Sequence, residues 1–233
     1  MTQTDIRRMV ARKSAVLFDL FHTLTDTGSR WIEGPTTAHV LGVSPDAWTE
    51  QLLVHSPERV VGIERDPVKI ITKMARALDA TISDETIARA VEFRLARFES
   101  ALMKIPEENL DALRGLKAQG KKIGLISNAD VSEVLAWDKS PLAPYFDSAI
   151  FSCHAACAKP DARIYKLSLR ALDLSPDDAL FVGDGGSDEL QGARDVGLVS
   201  VMMTGVIKHT WPEVIDERRS QCDFVVERLT ELL

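Results

Sequence analysis

The stretch Ser14-Ala15-Val16-Leu17-Phe18-Asp19-Leu20-Phe21-His22-Thr23-Leu24-Thr25 decides the fold. Its apolar run, Ala15 to Phe18, follows polar Lys13-Ser14 and ends in one carboxylate, Asp19. An uninterrupted apolar run this short reads as a strand buried on both faces, the kind found in parallel sheets. Open α/β sheets bind ligands at the carboxyl ends of their strands, which makes Asp19 a candidate functional residue. The plainer alternative is an acid that starts a turn.

The chain on either side of this stretch differs in kind. After Ile105-Pro106, strand and helix alternate. Lys122 to Ser127, 148–152, 179–183 and 198–203 read as strands, with Phe224 to Val226 as a last edge strand. Leu110, Leu113 and Leu116 mark a helix, as do Ile164, Leu167, Leu169 and Leu172, and the run 189–196. That rhythm predicts right-handed crossovers and a parallel sheet with helices on both faces. Residues 27–103 are helical in pattern. Asp66-Pro67 is an N-cap followed by proline in the first turn, with Val68, Ile71, Met74 and Leu78 at helical spacing. Ser83 opens another helix, whose apolar face is Ile87, Val91, Leu95, Phe98 and Leu102. The run 31–48 is mixed, broken by Pro35 and Pro45, and residues 1–13 read as a frayed lead-in. The fold class expected is α/β. A Rossmann-like core is formed by 1–26 and 104–233, and a small all-helical cap, 27–103, is inserted after the first strand and hangs over the strand ends.

Composition narrows the function. The chain has 233 residues, 45% of them hydrophobic, so it can bury a sizeable core. A net charge of -7 argues against a nucleic acid or an anionic membrane as partner. It leaves room for a small phosphorylated substrate, because a metal ion and one lysine can reverse the local field. Three cysteines, an odd number, suggest a reducing compartment. The apolar run after the basic start is too short for a signal segment or a membrane span. The expectation is a soluble cytoplasmic protein, monomer or homodimer.

Four strand ends, or the loops after them, carry polar groups: Asp19 and Thr23; Ser127-Asn128; Lys159-Pro160; and Gly183-Asp184-Gly185-Gly186-Ser187-Asp188. Parallel strands converge their carboxyl ends on one crevice, so these groups can meet. Asp19 with the pair Asp184 and Asp188 can hold a hard divalent cation through oxygen ligands. Thr23, Ser127, Asn128 and Lys159 can hold the oxygens of an anion. A carboxylate kept close to phosphorus, its charge balanced by a metal, can form an aspartyl phosphate. The alternative for Asp184 and Asp188 is a helix N-cap ahead of Glu189.

These motifs, in this order, resemble the haloacid dehalogenase (HAD) superfamily of hydrolases, in the branch with a helical cap between the first and second motifs. The resemblance covers nearly the whole chain. It implies that Asp19 is the nucleophile, that Ser127 binds the transferred group and that Lys159 balances charge. It implies Mg2+ held by Asp19, the Phe21 carbonyl and Asp184, with Asp188 assisting.

The departures bear on the reaction. Phosphatases of this family carry a second aspartate two residues after the nucleophile, where this chain has Phe21. General acid–base help of that kind is worth about 10²–10⁴-fold. Dehalogenases of the family lack that acid but also lack the acidic pair that this chain keeps. Phosphonatases use a cap lysine, for which Lys69 and Lys73 are the candidates here. His22 is either a substitute acid or base, or a loop histidine bonded to backbone. His154 and Ala156 stand where the family has glutamate and glycine, which leaves the seat of Lys159 open. Cys153-His154 and Cys157 lack the further ligands that zinc needs and read as packing residues. Arg30, Trp31, Arg59 and Arg65 are the cap residues that could meet substrate, and Trp137 reads as core. The leading expectation is a magnesium-dependent phosphatase acting on a small phosphorylated metabolite. The alternatives are a dehalogenase or phosphonatase-like enzyme, and a non-catalytic binder of a phosphorylated ligand or protein partner.

Overall fold

The structure, a computed structural model, describes residues 3–26 and 34–233. Six strands form one sheet: β1 (Ala15–Phe18), β2 (Lys122–Ser127), β3 (Ser148–Phe151), β4 (Ala179–Gly183), β5 (Val199–Met203) and β6 (Phe224–Val226). Their order is β3-β2-β1-β4-β5-β6, and every pairing is parallel. β1 lies between β2 and β4, and none of its four residues is exposed. Its side chains alternate between two cores, as the period of two in a strand requires. Val16 and Phe18 join one cluster; Ala15 and Leu17 join the other.

Helices cover both faces. On the first lie α1 (Gln3–Arg12) and α6 (Glu107–Ala118), which bury Ile6, Val10, Leu113 and Leu116. The segment expected to fray is thus a helix. Ile6 and Val10 lie one turn apart and insert into the sheet face. On the second face α7 (Ala162–Ala171) buries Ile164, Tyr165 and Leu169, and α8 (Glu189–Asp195) buries Leu190 and Ala193.

Between β1 and α6 the regular elements among the described residues are helices, including α2 (Thr37–Leu41), α3 (Pro45–Val54), α4 (Pro67–Leu78) and α5 (Asp84–Met103). Asp66 caps α4 by accepting from the Val68 N–H, and Ser83 caps α5 by accepting from the Thr86 N–H. These helices share a third core around Trp48, Ile71, Met74, Ile87 and Val91, whereas Val68 points to solvent. Charge ties them to the sheet: Arg59 Nη1 and Arg94 Nη2 donate to Asp130 Oδ2 at 2.8 and 3.0 Å, and Arg94 also reaches Glu133. The Ser152 hydroxyl donates to the Val60 carbonyl at 2.7 Å. Gly62 lies so close to the Cys153 carbonyl that an added Cβ would stand 1.9 Å from its oxygen. Among the described residues, no helix is long and apolar enough to cross a membrane.

Candidate active site

Sheet register sets the level of the site. Phe18 pairs with Leu125 on β2 and with Val182 on β4, so Asp19, Ser127 and Asp184 leave the sheet within about one residue of the same height. The Asp19 N–H donates to the Val182 carbonyl at 2.9 Å, which fixes its backbone to β4. The chain then turns, with His22 in a left-handed conformation at φ 64 and its N–H donating to Thr25 Oγ1. The turn brings Thr23 back over the strand end. Its hydroxyl donates to Asp19 Oδ2 at 3.1 Å, so Thr23 holds the acid and is committed before any anion arrives.

Lys159 is buried, and its Nζ lies 2.5 Å from Asp19 Oδ1 and also donates to Glu189 Oε2. Its seat, open from sequence, is set by Asn128. The Asn128 side chain accepts from the Lys159 N–H at 2.7 Å and donates to the Lys159 carbonyl at 2.8 Å. Asn128 therefore clamps the lysine's backbone from the end of β2. The loop before it turns at Ala156, which is left-handed at φ 54. Gly192 of α8 supports Pro160 from below, where a Cβ would lie 2.8 Å from the Pro160 carbonyl oxygen.

The loop after β4 overturns one expectation. Asp188 was expected to join Asp19 and Asp184; instead it is exposed and accepts from Gln221 Nε2 at 3.0 Å. Ser187 and Asp188 are both left-handed, at φ 55 and 52, and this double turn carries Asp188 outward and the next residue inward. Glu189, 2% exposed, takes the place. Asp19, Asp184 and Glu189 each offer a carboxylate oxygen within 4.8 Å of the others. A helical signal for Glu189 exists in the sequence: it shares a face with Gly192 and Ala193, both buried. The Tyr165 hydroxyl anchors it further by donating to the Glu189 carbonyl at 2.7 Å.

Sequence reasoning also missed Arg218. Its Nη1 donates to Asp184 Oδ2 and to the Asp184 carbonyl, both at 2.9 Å. Nothing in Glu217-Arg218-Arg219 separates it from an ordinary solvated run.

The site has more acid than base. Burial raises Asp19 above the usual carboxylate range; Lys159 opposes that rise and the charge of Asp184 adds to it. Burial, with the charges of Asp19 and Asp184, pushes Glu189 up to about 8. Burial alone would lower Lys159, but the charges of Asp19 and Glu189 outweigh it and keep the ammonium protonated. Burial first, and then the crowding of acids, raises the two carboxylates. Three buried carboxylates with hard oxygen donors fit a hard divalent cation.

The acids open into a pocket of about 560 Å³. Its walls are Phe21, His22, Leu53, Trp211 and Val214. The Phe21 ring packs edge-on against Phe98 of α5 at 5.5 Å, so the position of the usual second acid is apolar and plugged from above. His22 meets Trp211 edge-on at 4.9 Å, and burial lowers its pKa despite the charges of Asp184 and Asp19. Ser127 lies at the end of β2, and its buried hydroxyl has no hydrogen-bond partner among the described residues.

The residues between α2 and α5 divide. Arg59 lines an adjoining cavity of about 310 Å³ beside Phe21 and His22, with its guanidinium committed to Asp130. Arg65 donates to the Gly62 carbonyl and faces a different groove. Lys73 pairs with Glu58 at the surface, and Lys69 is exposed. Arg30 and Trp31 lie outside the described residues. Trp137 is buried among Phe146 and Phe151, as expected of a core residue. Cys153 and Cys157 are buried and free, while His154 is exposed.

Comparison with known proteins agrees with this geometry. A family model described as haloacid dehalogenase-like hydrolase matches residues 13–197. The chain is 27% identical over 164 residues to a glyceraldehyde 3-phosphate phosphatase of Pyrococcus furiosus, covering 69% of this chain and 65% of that protein. It is 26% identical over 136 residues to the protein of the same name from Methanocaldococcus jannaschii, covering 57% of each. The chain thus spans less than two thirds of these relatives. Among solved structures, the L-2-haloacid dehalogenase of Xanthobacter autotrophicus superposes with a TM-score of 0.62 at 18% identity, over 94% of this chain and 96% of that one. A HAD phosphatase from Thermococcus onnurineus superposes with 0.61 at 22% identity, over 94% and 95%. At these identities the structural likeness concerns the fold.

Proposed function

Because the chain belongs to the haloacid dehalogenase-like hydrolase family, we propose that it hydrolyses a small phosphate monoester with Asp19 as nucleophile. The observation that carries this reading is the buried trio Asp19, Asp184 and Glu189. A site that only expels halide needs no such cluster, whereas phosphoryl transfer needs charge neutralised around the phosphorus. The relatives named glyceraldehyde 3-phosphate phosphatase support the same choice.

In this reading Asp184, Glu189 and Asp19, with the Phe21 carbonyl, hold Mg2+. The ion, when bound, would neutralise charge on the transferred group and on the acids. Lys159 faces Asp19 Oδ1 and screens its charge as the phosphoryl group approaches. Thr23 orients the same carboxylate through Oδ2. The unpartnered Ser127 hydroxyl gains its missing bond from a phosphoryl oxygen. Asp19 attacks phosphorus, the ester P–O bond breaks, and the leaving oxygen takes a proton from water, because Phe21 has none to give. Water then attacks the aspartyl phosphate, which releases phosphate and restores the carboxylate. His22, kept neutral by burial, is suited to accept the proton of that water. Residues 27–103, whose described elements are helical, would serve as the cap, and residues 1–26 and 104–233 as the core. Free Cys153, Cys157 and Cys222 support a reducing, cytoplasmic setting.

A panel of phosphate esters assayed with magnesium and with EDTA tests this reading. Turnover that needs magnesium and vanishes in Asp19→Asn is the expected result. A second reading, carbon–halogen cleavage, is favoured by Phe21 alone. Halide release that persists in EDTA would establish it and end the phosphatase reading.

A further inference from the structure

Arg218 stands 34 residues beyond Asp184, on the short surface helix Ile215–Arg219 between β5 and β6. Its place in the site is built on both sides. Its stem crosses Gly185, where a Cβ would lie 2.9 Å from Arg218 Cδ, so glycine makes room for it. Its guanidinium makes two bonds to one residue, the Asp184 carbonyl and Oδ2, both at 2.9 Å.

With those bonds in place, all six carboxylate oxygens of the trio are hydrogen-bond acceptors. Asp19 accepts from Lys159 and Thr23, Glu189 from Lys159 and the Gly185 N–H, and Asp184 from the Gly186 N–H and Arg218. A divalent cation therefore enters a site where each oxygen already has a donor. The donors differ in how easily they leave. Thr23 and the Gly185 and Gly186 amides belong to the turns that shape the site. Lys159 is 2% exposed, bridges two acids and has its backbone clamped by Asn128. Arg218 is 19% exposed and reaches in from a surface helix on a long, flexible side chain. It also carries a full positive charge, which repels a dication at close range.

We infer that Arg218 is a tethered counter-ion that competes with the divalent cation for Asp184. It holds the carboxylate in the metal-free protein and releases Oδ2 when the metal binds, so metal affinity is weaker than the three carboxylates alone would give. This rests on the reading that Asp184 is a metal ligand. It makes the surface helix Ile215–Arg219, together with the Trp211 segment before it, the part of the chain that responds to loading.

The test is calorimetric titration of magnesium alone into the wild type, Arg218→Met and Arg218→Lys. Methionine keeps a stem over Gly185 and removes the charge. Lysine keeps the charge but not the paired donor geometry. The expected result is magnesium binding about tenfold tighter or more in Arg218→Met, with Arg218→Lys between it and the wild type. Without metal, Arg218→Met should melt below the wild type, and the gap should close at saturating magnesium. Equal or weaker magnesium affinity in Arg218→Met would overturn the inference, as would an absence of binding in all three proteins. If Arg218→Met does not fold, Arg218→Lys decides by the same criterion. A wild type that hydrolyses esters only with magnesium, beside three equal affinities, would sink this inference and leave the proposed function standing.

Discussion

Gly183 and Glu189 are in contact at the end of β4: a Cβ on Gly183 would stand 2.1 Å from Glu189 Oε1. The carboxylate reaches the site through the space that the missing side chain leaves. Gly183→Ala should therefore push Glu189 out of the trio. Expected outcomes are a stability loss of about 1–3 kcal/mol from overpacking and a fall in kcat/KM of about 10²-fold or more, which Glu189 shares with Lys159 as a unit. Chemical denaturation and steady-state kinetics on one preparation check both.

Glu189 and Asp188 are neighbours in sequence with opposite fates. Glu189→Gln should lower kcat/KM about tenfold or more by removing one charge from the buried acidic trio proposed to hold the metal. Asp188→Asn should leave kcat/KM within about twofold, as expected of a surface substitution. If Asp188→Asn were the more damaging change, the placement of the left-handed turn at Ser187-Asp188 would be wrong.

Ser127 separates stability from activity. Its hydroxyl is buried without a partner among the described residues, so Ser127→Ala removes no bond to them and relieves an unsatisfied group. The melting temperature should hold or rise, while kcat/KM falls about tenfold or more through a bond made only to the phosphoryl group. Inhibition by inorganic phosphate should weaken in parallel. A drop in stability with unchanged kinetics would assign the hydroxyl a structural role.

The Arg59–Arg94–Asp130–Glu133 network should show itself in the pH dependence of stability. Burial pushes Asp130 up, but Arg94 and Arg59 outweigh it and hold its pKa below 3.8. The stability it contributes is then complete above pH 3.8 and is lost as pH falls through the lower folded value. Glu133 behaves in the opposite sense, because burial and the charge of Asp130 raise its pKa above 4.5. Its contribution is complete below pH 4.5 and declines as pH rises through the folded value. Asp130→Asn should flatten the acid loss and, near neutral pH, cost about 3–5 kcal/mol for the uncompensated arginines. Glu133→Gln should flatten the decline above pH 4.5. Denaturation curves from pH 3 to 8 (a range of the buffers) check both signs.

Ala156 adopts a left-handed conformation that costs an L-residue about 1–2 kcal/mol. Ala156→Gly removes that cost and adds about 0.5–1 kcal/mol of unfolded-state entropy. A net gain in stability of about 0.5–1 kcal/mol is expected by thermal or chemical denaturation, with the Lys159 loop unchanged.

Much of the architecture was legible because burial pattern is local. The apolar run Ala15 to Phe18 announces a strand covered on both sides, and β1 lies mid-sheet with neither face open. Asp66 and Ser83 announce helix starts, and both side chains cap. The lead-in was misread because Ile6 and Val10 are two apolar residues in a charged segment, and only a waiting sheet face makes them a helix. At the site, Asp19, Lys159 and Asp184 stood out as polar groups at strand ends. Thr23 and Asn128 were legible as polar residues of the site, but only the folded turn shows that Thr23 bonds Asp19 and that Asn128 bonds the Lys159 backbone.

The sequence by itself determined the parallel α/β core, the helical segment after β1 and the strand-end acid Asp19, because these follow from periodicity and from residues adjacent in the chain. Tertiary structure alone decided that Glu189 and not Asp188 completes the trio, and that Arg218 holds Asp184. The first turns on two left-handed residues that rotate the chain by one position, the second on a contact across 34 residues. Side-chain direction after a turn and proximity across the sheet are three-dimensional facts, and no local pattern encodes them.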